Sequence, residues 1–167
     1  MSDLDQIRML EEQIGALIPE EYRKFLASHM KGCDTNRCLN LGDKSAGPVV
    51  FYGFTDSASN ICEVWRYLTP LITKWLLPIG EDLSGEAICI SLRSRDIGKI
   101  YRTRGWTDHE DDQVEIVFLC NDFTELQAML VECTPTVSAA ESDIYALAKA
   151  GDIQRAESFF TTRDLNS

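Results

Sequence analysis

The sequence predicts an α+β fold, a largely antiparallel sheet flanked by helices, with a C-terminal helical hairpin. Residues 75–92 carry the strongest signal, because an apolar run, a polar turn and an alternating segment follow one another. In that segment Ile88, Ile90 and Leu92 are separated by small residues, which is the period of a β-strand. The predicted order is helix, helix, strand, helix, strands, helix, and it favours α+β over α/β. The length of 167 residues suits one domain with a small appendage.

Two amphipathic helices are predicted at the start of the chain. Asp3 can cap the first and Gln6 completes a capping box, while Gly15 ends it. Pro19 fits the first turn of the second helix, which Gly32 ends.

The middle of the chain is predicted to contain a loop, a strand and a third helix. Residues 33–48 are polar and contain glycine, which indicates a loop, and residues 49–54 form a strand. The third helix ends at about Leu68, before the breaker Thr69-Pro70. Three residues offer alternative caps for this helix: Asp56, Ser57 and Ser59.

Two further strands and a fourth helix complete the main domain. The strands are predicted over residues 99–106 and 114–119, and a strongly acidic segment, 108–112, connects them. Asn121 or Asp122 caps the fourth helix.

A domain boundary is predicted at the Thr-Pro-Thr segment 134–136. Residues 1–133 form the α+β domain, and residues 134–167 form a helical hairpin that resembles one unit of a solenoid. Because one such unit cannot bury its own apolar face, we expect it to dock on the main domain or on a partner.

The net charge of −11 restricts the partners of the chain. An acidic surface repels phosphates, so we expect neither a nucleic acid nor an anionic membrane as partner, whereas a basic protein would be attracted. An acidic surface that serves only solubility is the alternative. No apolar run approaches the roughly 18 residues of a membrane span, and the acidic N-terminus is unlike a signal peptide. We therefore expect a cytoplasmic protein whose six cysteines are reduced.

Three segments together resemble a known family. They are LIPEEYRKFL at residues 17–26, LPIGED at 77–82 continued by 85–92, and NDFTEL at 121–126. Their order and spacing resemble the SUKH superfamily, the Smi/Knr-type domain, and the Pro-Ile-Gly hairpin is the most specific part. The resemblance covers about residues 3–133.

This resemblance implies an α+β domain without catalytic residues. Bacterial members are commonly immunity proteins that neutralise polymorphic or contact-delivered toxins, many of them nucleases. Other members serve as scaffolds, such as the yeast regulators of cell-wall synthesis.

The sequence evidence for a metal site or a catalytic site is weaker than the evidence for this resemblance. A structural zinc site usually takes four ligands, and the chain offers only His29 beside the loosely spaced Cys33 and Cys38. His109 and its acidic neighbours in segment 108–112 lack the spacing of a calcium loop. We expect no catalytic residues, no metal and no cofactor.

We therefore expect a non-enzymatic protein that binds a basic toxin domain by occlusion. Trp106 is expected to anchor the contact, because charged residues and glycine surround this aromatic side chain. The acidic residues expected to meet the partner are Asp108, Glu110, Asp111, Asp112, Glu81, Asp82 and Glu86. The alternatives are a regulatory scaffold that binds through residues 134–167 and a small hydrolase that uses the carboxylates; the oligomeric state stays open.

Overall fold

The computed structural model describes residues 3–42, 45–104 and 114–133, and they form the predicted α+β fold. One seven-stranded sheet has the order β6-β5-β4-β3-β2-β1-β7, and every neighbouring pair is antiparallel. The strands are β1 Cys33–Asn40, β2 Ser45–Phe51, β3 Leu76–Asp82, β4 Ala87–Ser91, β5 Ile100–Arg104, β6 Glu115–Cys120 and β7 Leu130–Glu132. The helices are α1 Asp3–Ile14, α2 Glu20–Ser28, α3 Ile61–Leu68 and α4 Phe123–Ala128.

The side chains of β4 alternate between the two faces of the sheet, as predicted, and both faces are packed against other residues. Ile88 and Ile90 lie in the main core, which the buried side chains of α1, α2 and α4 complete. Ala87 and Cys89 point the other way, into a second cluster with Leu68 of α3. The central hairpin is therefore buried on both faces, since successive side chains of a strand point to opposite faces.

A bulge in β3 interrupts the central pairing. Pro78 pairs with Cys89 and Gly80 with Ile88, so Ile79 is the extra residue of β3. A side chain at Gly80 would meet the carbonyl oxygen of Val50 at 2.6 Å. Glycine is therefore required where β2 passes closest to the bulge.

The helix ends agree with the sequence at α4 and differ at α3. Asp122 caps α4 and accepts a hydrogen bond from the Glu125 backbone at 2.8 Å, as one of the two predicted alternatives requires. The cap of α3 is Asn60, which accepts from the Cys62 backbone at 2.9 Å; the three predicted caps were wrong. Asn60 is the residue directly before the helix, and its amide also donates to the Thr55 carbonyl.

The prediction of a loop over residues 33–48 was wrong. Strand β1 and most of β2 occupy it, and β1 also pairs with the short strand β7, which the sequence analysis did not predict. Two register shifts interrupt the pairing of β1 with β2, so this part of the sheet is irregular.

The expectation that all six cysteines are reduced was also wrong. Cys38 and Cys133 form a disulfide across 95 residues, which joins β1 to the residue that follows β7. The remaining four cysteines are free thiols: Cys33, Cys62, Cys89 and Cys120. Burial raises the pKa of the Cys89 thiol to about 12, so it stays protonated near neutral pH.

Contacts divide the chain into two units, Met1–Cys133 and Thr134–Ser167. The helical hairpin predicted for 134–167 lies outside the described residues, and so it stays a prediction. In the part of the chain that the structure describes, none of the helices has the length and hydropathy needed to cross a membrane.

Candidate partner-binding site

The turn between β3 and β4 is built around one carboxylate. Asp82 Oδ1 accepts hydrogen bonds from the Ser84 backbone at 2.9 Å, the Ser84 hydroxyl at 2.5 Å and the Glu86 backbone at 3.3 Å. Gly85 follows with a φ of +79°, which only glycine adopts without strain. The turn is therefore fixed by its own residues.

Arg102 of β5 joins two of the predicted acidic residues. Its Nη2 lies 2.5 Å from Asp82 Oδ2 and 2.9 Å from Glu86 Oε2. The side chain of Asp82 is 0% exposed and that of Arg102 is 11% exposed, so the pair is shielded from water. Asp82 is consequently a residue that holds the turn, and Glu86, 22% exposed, carries the accessible carboxylate of this cluster.

Glu81 lies on the opposite face of the sheet from Asp82. Glu81 pairs with Ala87 of the second cluster. Asp82 lies two residues after Gly80, the partner of Ile88 in the main core, and so it shares the face of Gly80. Among the described residues, no lysine or arginine forms an ion pair with Glu81. Its carboxylate is therefore a negative charge without a cation beside it in that part of the chain.

Tyr52 fixes the position of this carboxylate. Its hydroxyl donates to Glu81 Oε2 at 3.0 Å. Burial, together with the charge and hydrogen bond of Glu81, raises the pKa of Tyr52 above its usual value. The phenol therefore stays protonated and remains a donor near neutral pH.

An open groove lies between α3 and the β3–β4 turn, with a volume of about 620 Å³. Val64 and Tyr67 of α3 line one side, and Glu81 and Ala87 line the other. Tyr67 is 71% exposed, although it is a large aromatic residue. This groove was not predicted from the sequence; the signal in the sequence was Tyr67, a tyrosine that lies off the apolar stripe of α3.

Five of the eight residues predicted to bind a partner lie in the segment 105–113, outside the described residues. They are Trp106, Asp108, Glu110, Asp111 and Asp112. The other three, Glu81, Asp82 and Glu86, lie at the β3–β4 turn. Asp82 and Glu86 pair with Arg102, and Glu81 accepts a hydrogen bond from Tyr52. Their roles in binding stay predictions.

A second polar cluster lies between β4 and β5. Arg93 Nη2 lies 2.5 Å from Asp96 Oδ2, and its guanidinium lies over the ring of Trp75 at 3.4 Å. Ser91 and Tyr101 also donate to Asp96. The hydrogen bond from Arg93 is the largest of the effects that hold the pKa of Asp96 well below its usual range.

Two of the three residues considered for zinc have other partners, and the third, Cys33, is a free thiol. Cys38 is bonded to Cys133, and His29 Nδ1 is within hydrogen-bond distance of the Phe25 carbonyl and the Ser28 hydroxyl. Within residues 3–42, 45–104 and 114–133, no group of three or more histidine, cysteine or acidic side chains is placed to hold a metal ion.

Taken together, the antiparallel sheet, its bulged central hairpin and the flanking helices define an α+β domain. The family model described as the SMI1 / KNR4 family (SUKH-1) matches residues 1–128. The chain therefore belongs to this family, as the three sequence motifs indicated. No curated protein sequence matched the chain, and no solved structure matched it. Domains of this family are generally non-enzymatic and are commonly immunity proteins that bind toxins.

Proposed function

We propose that this protein is an immunity protein, which neutralises a bacterial polymorphic or contact-delivered toxin by covering a basic surface of the toxin domain. Membership of the SMI1 / KNR4 family carries the proposal. The net charge of −11 favours a basic partner, such as a nuclease domain whose lysines and arginines contact nucleic acid.

The proposed mechanism has two steps, steering and occlusion. The acidic field accelerates the approach of a basic partner, and buried contacts then slow its release. Glu81 and Glu86 contribute charge at the β3–β4 turn, and Asp82 holds the turn that carries them. Trp106 and the acidic residues of the segment 108–112 are proposed as the anchor and the leading edge of the same surface.

The proposal predicts that a toxin domain is encoded beside the gene of this protein, and the test uses that domain. Adding the purified full-length chain should abolish the activity of that toxin domain, and co-production should restore growth. If the toxin domain stays active in an excess of the chain, the proposal fails.

Charge reversal tests the steering step. Changing Glu110, Asp111 and Asp112 to lysine should slow association and weaken its dependence on salt, because steering is screened by ions. Three exposed glutamates of α1 and α2 provide a control with the same change of charge: Glu12→Lys, Glu20→Lys and Glu21→Lys. If the control slows association equally, the contribution comes from net charge alone and the segment is not the leading edge.

A regulatory scaffold is the second candidate, because residues Thr134–Ser167 form a unit of their own. Deletion of this unit separates the two candidates. Toxin binding that survives the deletion favours occlusion by the α+β domain, whereas loss of partner binding with an intact fold favours the scaffold.

A further inference from the structure

We propose that the groove between α3 and the β3–β4 turn receives an arginine side chain of the basic partner. This inference rests on the proposed function and goes beyond it, because it assigns a site and the chemistry of the group that enters it. The volume of about 620 Å³ is well above that of one side chain and lies within the usual range of ligand sites.

The walls of the groove match the two parts of an arginine. Val64 and Ala87 offer apolar contacts for the aliphatic stem, and the exposed ring of Tyr67 offers a surface on which a guanidinium stacks. Glu81 supplies the carboxylate. The groove thus combines apolar walls with a charge that prefers a cation.

The hydrogen bonding of Glu81 favours binding of a cation that comes from outside the described residues. Glu81 Oε2 accepts from Tyr52 at 3.0 Å, which leaves Oε1 and the second lone pair of Oε2 for further donors. Within the described part of the chain no basic side chain forms an ion pair with this carboxylate. A planar guanidinium is suited to such a carboxylate, because its N–H groups form a fork that matches two acceptors.

Glu63 adds a second charge that can be released to the partner. It lines the groove and pairs with Arg66 at 2.5 Å, one turn along α3. Both side chains are more than half exposed, at 63% and 56%. Because such surface pairs contribute little to stability, Glu63 can exchange its cation for that of a partner at small cost.

The direct test uses N-acetyl-arginine amide as the probe and NMR spectra of the full-length chain. We expect the amide signals of Val64, Tyr67 and Ala87 to shift and to saturate with this probe. N-acetyl-citrulline amide has nearly the same shape without the charge, and it should leave these signals in place.

Two substitutions identify the contacts. Glu81→Gln keeps an acceptor for Tyr52 and should weaken binding of the probe about tenfold, since a charge-assisted hydrogen bond is lost. Tyr67→Ser should weaken it roughly threefold through loss of stacking. Leu17→Ser is the control for Tyr67→Ser, because Leu17 is 74% exposed and lines a different groove beside α1; binding should be unchanged.

Several outcomes would overturn the proposal. Shifts that spread over all acidic surfaces, or a probe affinity that is unchanged in Glu81→Gln, would mean that the groove is not an arginine site. Groove signals that move on dilution would assign the groove to a second copy of the chain. Signals that move on deletion of residues 134–167 would assign it to the chain's own C-terminal unit.

The same variants separate this proposal from the proposed function. If Glu81→Gln and Tyr67→Ser bind the toxin domain as tightly as the unmodified chain does, the groove assignment fails while the immunity function stands. If the arginine probe enters the groove but the chain does not inhibit the toxin domain, the groove stands and the function fails.

Discussion

Loss of the Arg102 side chain should destabilise the β3–β4 turn, because Arg102 pairs with the buried carboxylate of that turn. In Arg102→Met the guanidinium disappears, and the fully buried carboxylate of Asp82 keeps only the donors of the turn. Removing one partner of a buried ion pair costs about 3–5 kcal/mol. We expect the lower end, about 3 kcal/mol, because Glu86 beside it is 22% exposed and admits water. For a domain of this size, that corresponds to a fall in melting temperature of roughly 10 °C.

A double-mutant cycle separates the ion pair from the packing of the arginine stem. Asp82→Asn retains an oxygen that can accept from the turn backbone, so it tests the loss of charge. In the double variant Asp82→Asn/Arg102→Met the buried carboxylate of Asp82 is no longer left without its partner. Glu86 loses Arg102 in both variants that carry Arg102→Met, so that loss cancels in the cycle. We expect a coupling energy of about 1.5–3 kcal/mol, since each single variant leaves one member of the pair unmatched.

The assay is urea denaturation monitored by tryptophan fluorescence. The slope of the unfolding free energy against urea concentration is compared between variants. An unchanged slope shows that the midpoints report stability and not a change in compactness. Arg102→Lys should lie between the unmodified chain and Arg102→Met, because an ammonium group keeps the charge and loses the fork geometry. Single-variant effects that add to within about 0.5 kcal/mol would refute the reasoning.

Three further predictions follow from contacts elsewhere in the fold. The groups around Asp96 hold its pKa below the usual range, so the Asp96→Asn variant should be less stable than the unmodified chain near neutral pH. Because the folded state favours the ionised form, this difference in unfolding free energy should shrink as the pH falls below about 4. A difference that stays constant with pH in denaturation experiments would contradict this. Gly53→Ala should unfold the domain, since its Cβ would lie 2.0 Å from a backbone nitrogen. Gly15→Ala has nothing within 4 Å of its Cβ and should cost only about 1 kcal/mol of stability for its φ of +69°. Equal melting temperatures of the two variants would refute this difference. Reduction of Cys38–Cys133, separated by 95 residues, should lower the unfolding free energy by about 2–4 kcal/mol, and thermal melts with and without reductant that coincide would count against the disulfide.

The central hairpin and the helices could be predicted because their side-chain periods are set by local geometry. Strand β1 could not, because Asp34, Asn36 and Arg37 are polar and the strand is half exposed. Its strand structure comes from pairing with β2 and β7, and a disulfide ties its end to residue 133. These are contacts between distant parts of the chain, and tertiary pairing of this kind overrides strand propensity.

The roles of the three described acidic residues could not be separated from sequence for a similar reason. Glu81, Asp82 and Glu86 have the same charge and lie close together in the chain, which predicts one acidic surface. Arg102 comes to this cluster because the β4–β5 register pairs it with Ile88. That register depends on the whole sheet, so the sequence alone could not distinguish a buried carboxylate from an accessible one.

The Pro-Ile-Gly motif connects the family's fold to the site proposed for this chain. Because β3 contains one extra residue between Pro78 and Gly80, the residues after the bulge are shifted by one relative to a regular strand. Glu81 therefore points into the groove beside α3, and Asp82 points to Arg102. Without the bulge the two carboxylates would exchange faces, which would place the buried charge in the groove and leave Arg102 without its closest partner. The motif thus determines which carboxylate stabilises the turn and which one lines the groove.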